Sequence, residues 1–364
     1  MARKGPTSRD VARRAGVSQA TVSFVLNNIS DARISEATKE KVWQAVRELD
    51  YHPNAAAQSL RRRAAGAIGL VIPDSKNPHF WQIVQGAERR AAQAGYSVLL
   101  TSTDLDFARE RLALDSLKRQ RVDGLILQIN FPSKMLPEVA GLRARGHPIV
   151  RIGRFSPELD GVVPDYGAGC TRLMEHLVRL GHRRIGFVFG TTPRGSVPTE
   201  VDLGRGRLEA YHRAIAEYSL DDDAELLQRC GPSPEEAYEA TKNLLSLRPL
   251  PTAIISINDL LAIAVCKAIA DAGLRIPQDV SVAGFDDIPL IRYLSPPLTT
   301  VRAEAEMLGA KAVELVLARL ADGNLPPQHI VLPTSLIVRL STGNAPVGAQ
   351  ARVDLLGSAP AVKQ

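Results

Sequence analysis

Residues 7–28, Thr7-Ser8-Arg9-Asp10-Val11-Ala12-Arg13-Arg14-Ala15-Gly16-Val17-Ser18-Gln19-Ala20-Thr21-Val22-Ser23-Phe24-Val25-Leu26-Asn27-Asn28, read as two short helices and a tight turn. Thr7 and Asp10 stand at capping-box spacing, where each side chain satisfies a backbone N–H that the first turn leaves unpaired. Val11, Ala12 and Ala15 share one face of the helix that starts there. Gly16 follows where a helix end calls for a residue that takes positive φ without steric cost. Ser18 is placed to cap a second helix with Val22, Val25 and Leu26 inward. Gln19, Ala20, Ser23 and Phe24 lie on its other face, small and polar at the start, as in a helix that enters the DNA major groove by its N-terminal end. An ordinary helical hairpin fits the same pattern.

Residues 7–28 closely resemble the DNA-binding head of the lactose-repressor/galactose-repressor family. The usual run there is Thr-x-x-Asp-Val-Ala-x-x-Ala-Gly-Val-Ser followed by Thr-Val-Ser-x-Val-Leu-Asn, and every fixed position is filled here. The likeness extends, less densely, over the chain except its last twenty or so residues. It implies that Thr7, Ser18, Gln19, Ala20, Thr21, Ser23, Phe24 and Asn27 form the DNA-contacting set of the head.

The charge distribution agrees with a nucleic-acid partner for the head. Residues 1–63 hold twelve Lys/Arg against six Asp/Glu, an excess of six, and the whole chain of 364 residues holds 45 against 39, the same excess. The remaining residues are therefore neutral in sum. A basic module on a neutral body is what phosphate neutralisation by the head alone requires. A merely solvated basic face does not predict that partition.

Ser35 is placed to cap a third helix through Leu49, with Val42, Ala45, Val46 and Leu49 as its buried stripe, closing a three-helix head at 1–53. Pro53 then breaks the chain. Residues 54–63, Asn54-Ala55-Ala56-Ala57-Gln58-Ser59-Leu60-Arg61-Arg62-Arg63, form a helix candidate too short to be stable alone in water. On physical grounds a flexible basic linker and a helix that folds on DNA are evenly matched. The resemblance implies the second, a hinge helix (54–66) that pairs with its dimer mate in the minor groove, with Asn54, Ala57 and Arg61 among its contacts and Leu60 as the wedge. Such a wedge kinks the duplex at a cost of a few kcal/mol in unstacking, offset by new contacts.

From Ala67 the pattern alternates. Strands at 67–72, 96–100, 122–127 and 148–152 interleave with helices at 80–94, 107–119 and about 137–145. A second series has helices at 169–180, 206–218, 234–246 and 260–272, with strands at 184–189, 253–257 and 280–284. Such repetition implies α/β lobes with parallel sheets covered on both faces and a ligand cleft at the carboxyl ends of the strands. The resemblance implies a periplasmic-binding-protein-like body over 67–342 that crosses between its lobes near 163, 291 and 331. Lobe one is then about 67–163 and 292–330, and lobe two about 164–291 and 331–342. Residues 343–364, rich in Gly, Ala, Pro and Ser, read as a disordered tail. They lack the leucine heptads of a tetramerising helix, which favours a homodimer.

No catalytic set emerges. The seven histidines show no metal spacing, no Gly-x-Ser-x-Gly or phosphate-loop run occurs, and Gly204-Arg205-Gly206 lacks the final glycine of a dinucleotide loop. Three scattered cysteines suggest neither disulfides nor zinc. No cofactor is expected. No apolar run approaches membrane-spanning length and no signal-peptide core precedes Thr7, so the expectation is a cytoplasmic protein.

Binding candidates come from strand ends. Asn258-Asp259 closes one strand and Asp286-Asp287 another; Asp259 and Asp287 suit caps or turns. By resemblance Asn258, Asp286 and Arg207 bind effector, and a carboxylate, an amide and a guanidinium together suit the hydroxyls of a sugar. His79-Phe80-Trp81 matches the family's aromatic wall, and Arg154 is a further candidate. Phe24 stands where many members carry a base-reading arginine, and Pro232 where some place an aromatic lid. The expected function is an effector-controlled repressor of a pseudo-palindromic operator on double-stranded DNA. Its rivals are a purine-responsive corepressor-dependent repressor, a sugar-binding receptor module and an α/β sugar enzyme.

Overall fold

The structure, a computed structural model, describes residues 6–26, 34–51, 65–129, 132–153, 156–190 and 204–346. The chain divides into two compact units, Met1–Gly66 and Ala67–Gln364. Asn27, Asn54, Ala57, Leu60, Arg61 and Arg154 lie outside the described residues, as does the hinge segment 54–63.

In the first unit α1 (Ser8–Ala15), α2 (Gln19–Leu26) and α3 (Glu36–Glu48) enclose Val11, Val22 and Val42, none of which has exposed surface. Each such side chain contributes about 1.5–3 kcal/mol relative to exposure, set against the entropy of ordering a small module. The capping box is complete, and Gly16 takes φ +67° where α1 ends. Ser35 caps α3, and Leu49 closes it.

The second unit holds two six-stranded sheets, ordered β11-β5-β4-β3-β1-β2 and β12-β10-β9-β8-β6-β7. Lobe one comprises β1 (Ala67–Ile72), α4 (Pro78–Gln93), β2 (Ser97–Ser102), α5 (Phe107–Arg119), β3 (Gly124–Leu127), α6 (Pro132–Ala144), β4 (Ile149–Ile152) and β5 (Asp160–Pro164). Lobe two follows with α7 (Tyr166–Arg179), β6 (Ile185–Gly190), α8 (Arg205–Tyr218), β7 (Leu227–Cys230), α9 (Pro234–Ser246), β8 (Ala253–Ser256), α10 (Asp259–Asp271), β9 (Ser281–Asp286) and β10 (Thr299–Ala303). The chain returns to lobe one for α11 (Ala305–Ala321) and β11 (His329–Leu332), then to lobe two for β12 (Thr334–Ile337). All pairings are parallel except β10 with β12. β1, β6 and β8 are buried along their whole length, which is why they read as unbroken apolar runs.

Three expectations are corrected. The second crossing is not near 291: β10 pairs in parallel with β9, Thr299 opposite Ala283 and Arg302 opposite Asp286, so the crossing falls between Ala303 and Ala305. Residues 343–346 are not part of a loose tail. Gly343 N–H donates to Ser281 Oγ and Ala345 N–H to Leu180 O, which ties them to lobe two. The helix expected from about 137 begins at Pro132, with Pro137 inside it.

Helices α4 and α11 of lobe one pack so closely that a Cβ on Gly86 would strike the Glu306 carbonyl, and one on Gly309 the Ile83 carbonyl oxygen. This contact matters for the cleft, because Asn77, His79 and Phe80 at the start of α4, and Leu308 on α11, line it. No described helix is long and apolar enough to cross a membrane.

Candidate functional site

In the head, the turn and both caps orient the exposed face of α2. Ser18 Oγ accepts from Thr21 N–H at 3.0 Å. Gln19 Nε2 donates to Ser8 Oγ at 2.7 Å, tying α2 back to α1 and leaving the amide oxygen as an outward acceptor. Gln19 and Ala20 are exposed, Thr21 and Ser23 half-buried. Phe24 keeps 40% of its surface accessible. Hydrogen bonding from Thr7 lowers the Asp10 carboxyl below its usual range, so the cap stays ionised at neutral pH. α2 thus presents polar groups and one phenyl ring.

In the body, a cavity of about 120 Å³ opens between the lobes, at the carboxyl ends of both sheets. His79, Phe80, Arg207, Asn258 and Asp286, five of the six effector candidates, all line it. Trp81 does not: it is 42% exposed, with its indole N–H donating to Ser75 O. Lobe one also contributes Asp74, Asn77, Gln128 and Gly153, and lobe two Tyr166, Gly190 and Pro232.

Tyr166 is the residue that sequence reasoning missed. Its hydroxyl donates to Asp286 Oδ1 at 2.5 Å, and the Arg207 guanidinium sits 4.1 Å above its ring, with the Phe285 ring 5.3 Å away. Burial, reinforced by Asp286, raises the phenol pKa well above its usual value, so Tyr166 remains a donor. The available signal was Asp165, which caps α7 by accepting from Ala168 N–H. The helix therefore begins at Tyr166 rather than Gly169.

Asp286 adopts φ +108°, a conformation that L side chains rarely take. Its neighbours hold it there. Asp287 accepts from Arg302 Nε at 2.7 Å and Arg339 at 2.5 Å. Asp259 accepts from Thr300 Oγ1 and from the Ile288 N–H. Burial, then the nearby Asp286 carboxylate, pushes the Asp259 carboxyl well above the usual range. Asp259 and Asp287 are thus framework residues of the β9 loop. Asn258 caps α10, its Oδ1 accepting from Leu261 N–H at 2.9 Å, which leaves the amide nitrogen of this half-buried residue for the cleft. The result is a guanidinium, a carboxylate, a phenol and an amide around one cavity, a set suited to binding polar groups. Among the described residues no group of His, Cys, Asp and Glu could hold a metal.

The family model "Bacterial regulatory proteins, lacI family" matches residues 7–54, and the "Periplasmic binding protein-like domain" model matches residues 174–342. The HTH-type transcriptional repressor PurR of Edwardsiella ictaluri is 32% identical over 342 residues, 93% of this chain and 98% of its own length. The chain belongs to the LacI family. The PurR repressor of Photobacterium profundum is 33% identical over 345 residues, covering 92% of this chain and 98% of that one. Among solved structures, the Lac repressor dimer bound to operator and the anti-inducer ONPF has a TM-score of 0.79 at 30% identity, covering 93% and 100% of the two chains. The CelR–cellobiose complex gives 0.69 at 28%, covering 92% and 99%. The protein is a LacI-family DNA-binding transcriptional repressor.

Proposed function

We propose that the protein acts in the cytoplasm as a non-catalytic homodimer that reads a pseudo-palindromic operator. Gln19, Ala20, Ser23 and Phe24 face major-groove base edges, and Phe24 selects a thymine methyl where an arginine would select guanine. Leu60 from each protomer enters the minor groove at the centre of the site. A small molecule, a sugar, binds in the inter-lobe cleft between His79, Phe80 and Arg154 of lobe one and Arg207, Asn258 and Asp286 of lobe two. Its differential affinity for two lobe arrangements couples the cleft to the hinge.

The observation that carries this reading is the cavity, where Arg207, Tyr166 and a strained Asp286 converge at the ends of two parallel sheets. A purine is the alternative occupant, since Phe80 can stack on a planar base as well as on a sugar ring. Selection of full-length protein on random duplex DNA tests the operator. A two-fold symmetric site with a flexible pyrimidine–purine step at its centre is expected. An enriched site without symmetry would contradict the dimer with paired hinges.

A further inference from the structure

Two helix starts meet on the surface of the head that, in the function proposed above, enters the major groove. Ser8 is the first residue of α1 and Gln19 the first of α2. Gln19 Nε2 donates to Ser8 Oγ at 2.7 Å. Each end of that bond is fixed by its own cap. At the start of α1, Thr7 N–H and Thr7 Oγ1 both donate to Asp10 Oδ2, at 2.9 Å and 2.7 Å, and Asp10 N–H donates back to Thr7 Oγ1. At the start of α2, Ser18 Oγ accepts from Thr21 N–H. Gly16, at φ +67°, turns the chain between the helices, and Val17 N–H donates to Ala12 O to close the turn. Both side chains are thus held at hydrogen-bond distance before any DNA arrives. Ala20, the next residue of α2, has no polar side-chain atom to compete for the amide.

A glutamine amide has two ends of opposite chemistry, an oxygen that only accepts and an NH2 that only donates. Free to turn over, it pairs with any base edge. Bound through Nε2 to Ser8, it turns its oxygen outward. The bond also settles side-chain torsions that an exposed glutamine must otherwise order on binding, at a cost in affinity.

In the major groove adenine and cytosine each present an amino group, whereas the polar atoms of guanine and thymine there are all acceptors. An outward oxygen therefore pairs with an amino base and meets only lone pairs on a keto base. We propose that Ser8 is a positioning residue for DNA recognition: by holding the Gln19 amide, it makes the head select adenine or cytosine over guanine or thymine at the base that Gln19 faces. Ser8 acts through Gln19 and not through a base contact of its own.

The test uses full-length protein as wild type, Ser8→Ala, Ser8→Thr, Gln19→Ala and the Ser8→Ala/Gln19→Ala pair. Binding sites are selected from random duplex DNA, and the half-site position that loses its preference in Gln19→Ala is the base that Gln19 faces. Fluorescence anisotropy then compares the best wild-type site with a duplex in which that base pair is inverted in one half-site, which exchanges an amino edge for a keto edge at unchanged composition. Wild type and Ser8→Thr, which keeps a hydroxyl, should prefer the amino base about tenfold. Ser8→Ala should lose most of that preference while the rest of its selected site matches wild type, an outcome that a damaged fold would not give. In the Gln19→Ala background, Ser8→Ala should change nothing further. Guanine or thymine selected by wild type at that position overturns the inference, because the amide would then present its NH2. So does undiminished selection in Ser8→Ala, and so does an effect of Ser8→Ala that persists in the Gln19→Ala background, which would put Ser8 itself on the DNA. A Gln19→Ala site identical to the wild-type one contradicts the placement of Gln19 on a base, proposed above, and removes the inference with it.

Discussion

His182 provides a prediction whose size follows from its surroundings. It is fully buried beyond the C-terminal end of α7. Its Nε2 lies 3.0 Å from Gly343 O and its Nδ1 2.9 Å from Thr252 Oγ1. A carbonyl only accepts, so the neutral ring carries its proton on Nε2 and Nδ1 takes the threonine hydroxyl. The ring thereby pins the segment at Gly343, beside Ser341, whose carbonyl accepts from Val282 of β9. Burial, the largest cause, lowers the His182 pKa from 6.5 to about 4, opposed by the Gly343 hydrogen bond and assisted by His176. Between these values the unfolded chain binds more protons than the folded one. The contribution is therefore complete above about pH 6.5 and is lost as pH falls toward 4. At pH 5 the two pKa values predict a roughly thirtyfold shift toward the unfolded chain, about 2 kcal/mol. Urea unfolding of wild type and His182→Gln at pH 7.5 and pH 5 measures it, since other titrating groups are common to both proteins. The stability difference should fall by about 2 kcal/mol at the lower pH. A difference equal at both pH values would refute a ring held neutral by burial.

Other expectations concern packing and DNA contact. Gly309→Ala would drive a methyl into the Ile83 carbonyl and force α4 and α11 apart. Denaturant unfolding should show a loss on the order of 2 kcal/mol, and an unchanged midpoint would contradict the close approach. Phe24→Arg should move the selected half-site toward guanine, with about 1–3 kcal/mol of discrimination at that base. An unchanged site would place Phe24 away from the bases. Leu60→Ala should weaken operator binding about tenfold or more in fluorescence anisotropy while effector affinity persists; retained operator affinity would remove the wedge.

Local chemistry was legible in the sequence, and long-range pairing was not. The capping box, the Gly16 turn and the Ser35 cap rest on residues three or four apart, and they form as their spacing suggests. β10 is a short strand behind Pro296-Pro297 that pairs with β9, the strand before it, and with β12, which follows only after a helix and a strand of lobe one. Nothing local places it in lobe two, and the crossing was set a dozen residues early. Asp286 and Asn258 stand at strand ends, which face the cleft in parallel α/β folds, whereas Arg207, on a helix, comes from the family resemblance alone; all three line the cavity. Tyr166 was missed because its helix was begun three residues late. The positive φ of Asp286 arises from tertiary packing, for which composition and periodicity carry no sign.

In the function proposed above, cleft occupancy and DNA binding are coupled. Operator affinity of wild type and Asp286→Ala is to be measured by fluorescence anisotropy with and without saturating amounts of the compound, sugar or purine, that most raises the thermal stability of the protein. A change of about 5- to 150-fold is expected for wild type, and none for Asp286→Ala, whose operator affinity without the compound should match wild type. Equal operator affinity of the wild type with and without the compound would contradict the coupling, and an undiminished response in Asp286→Ala would place the controlling site elsewhere.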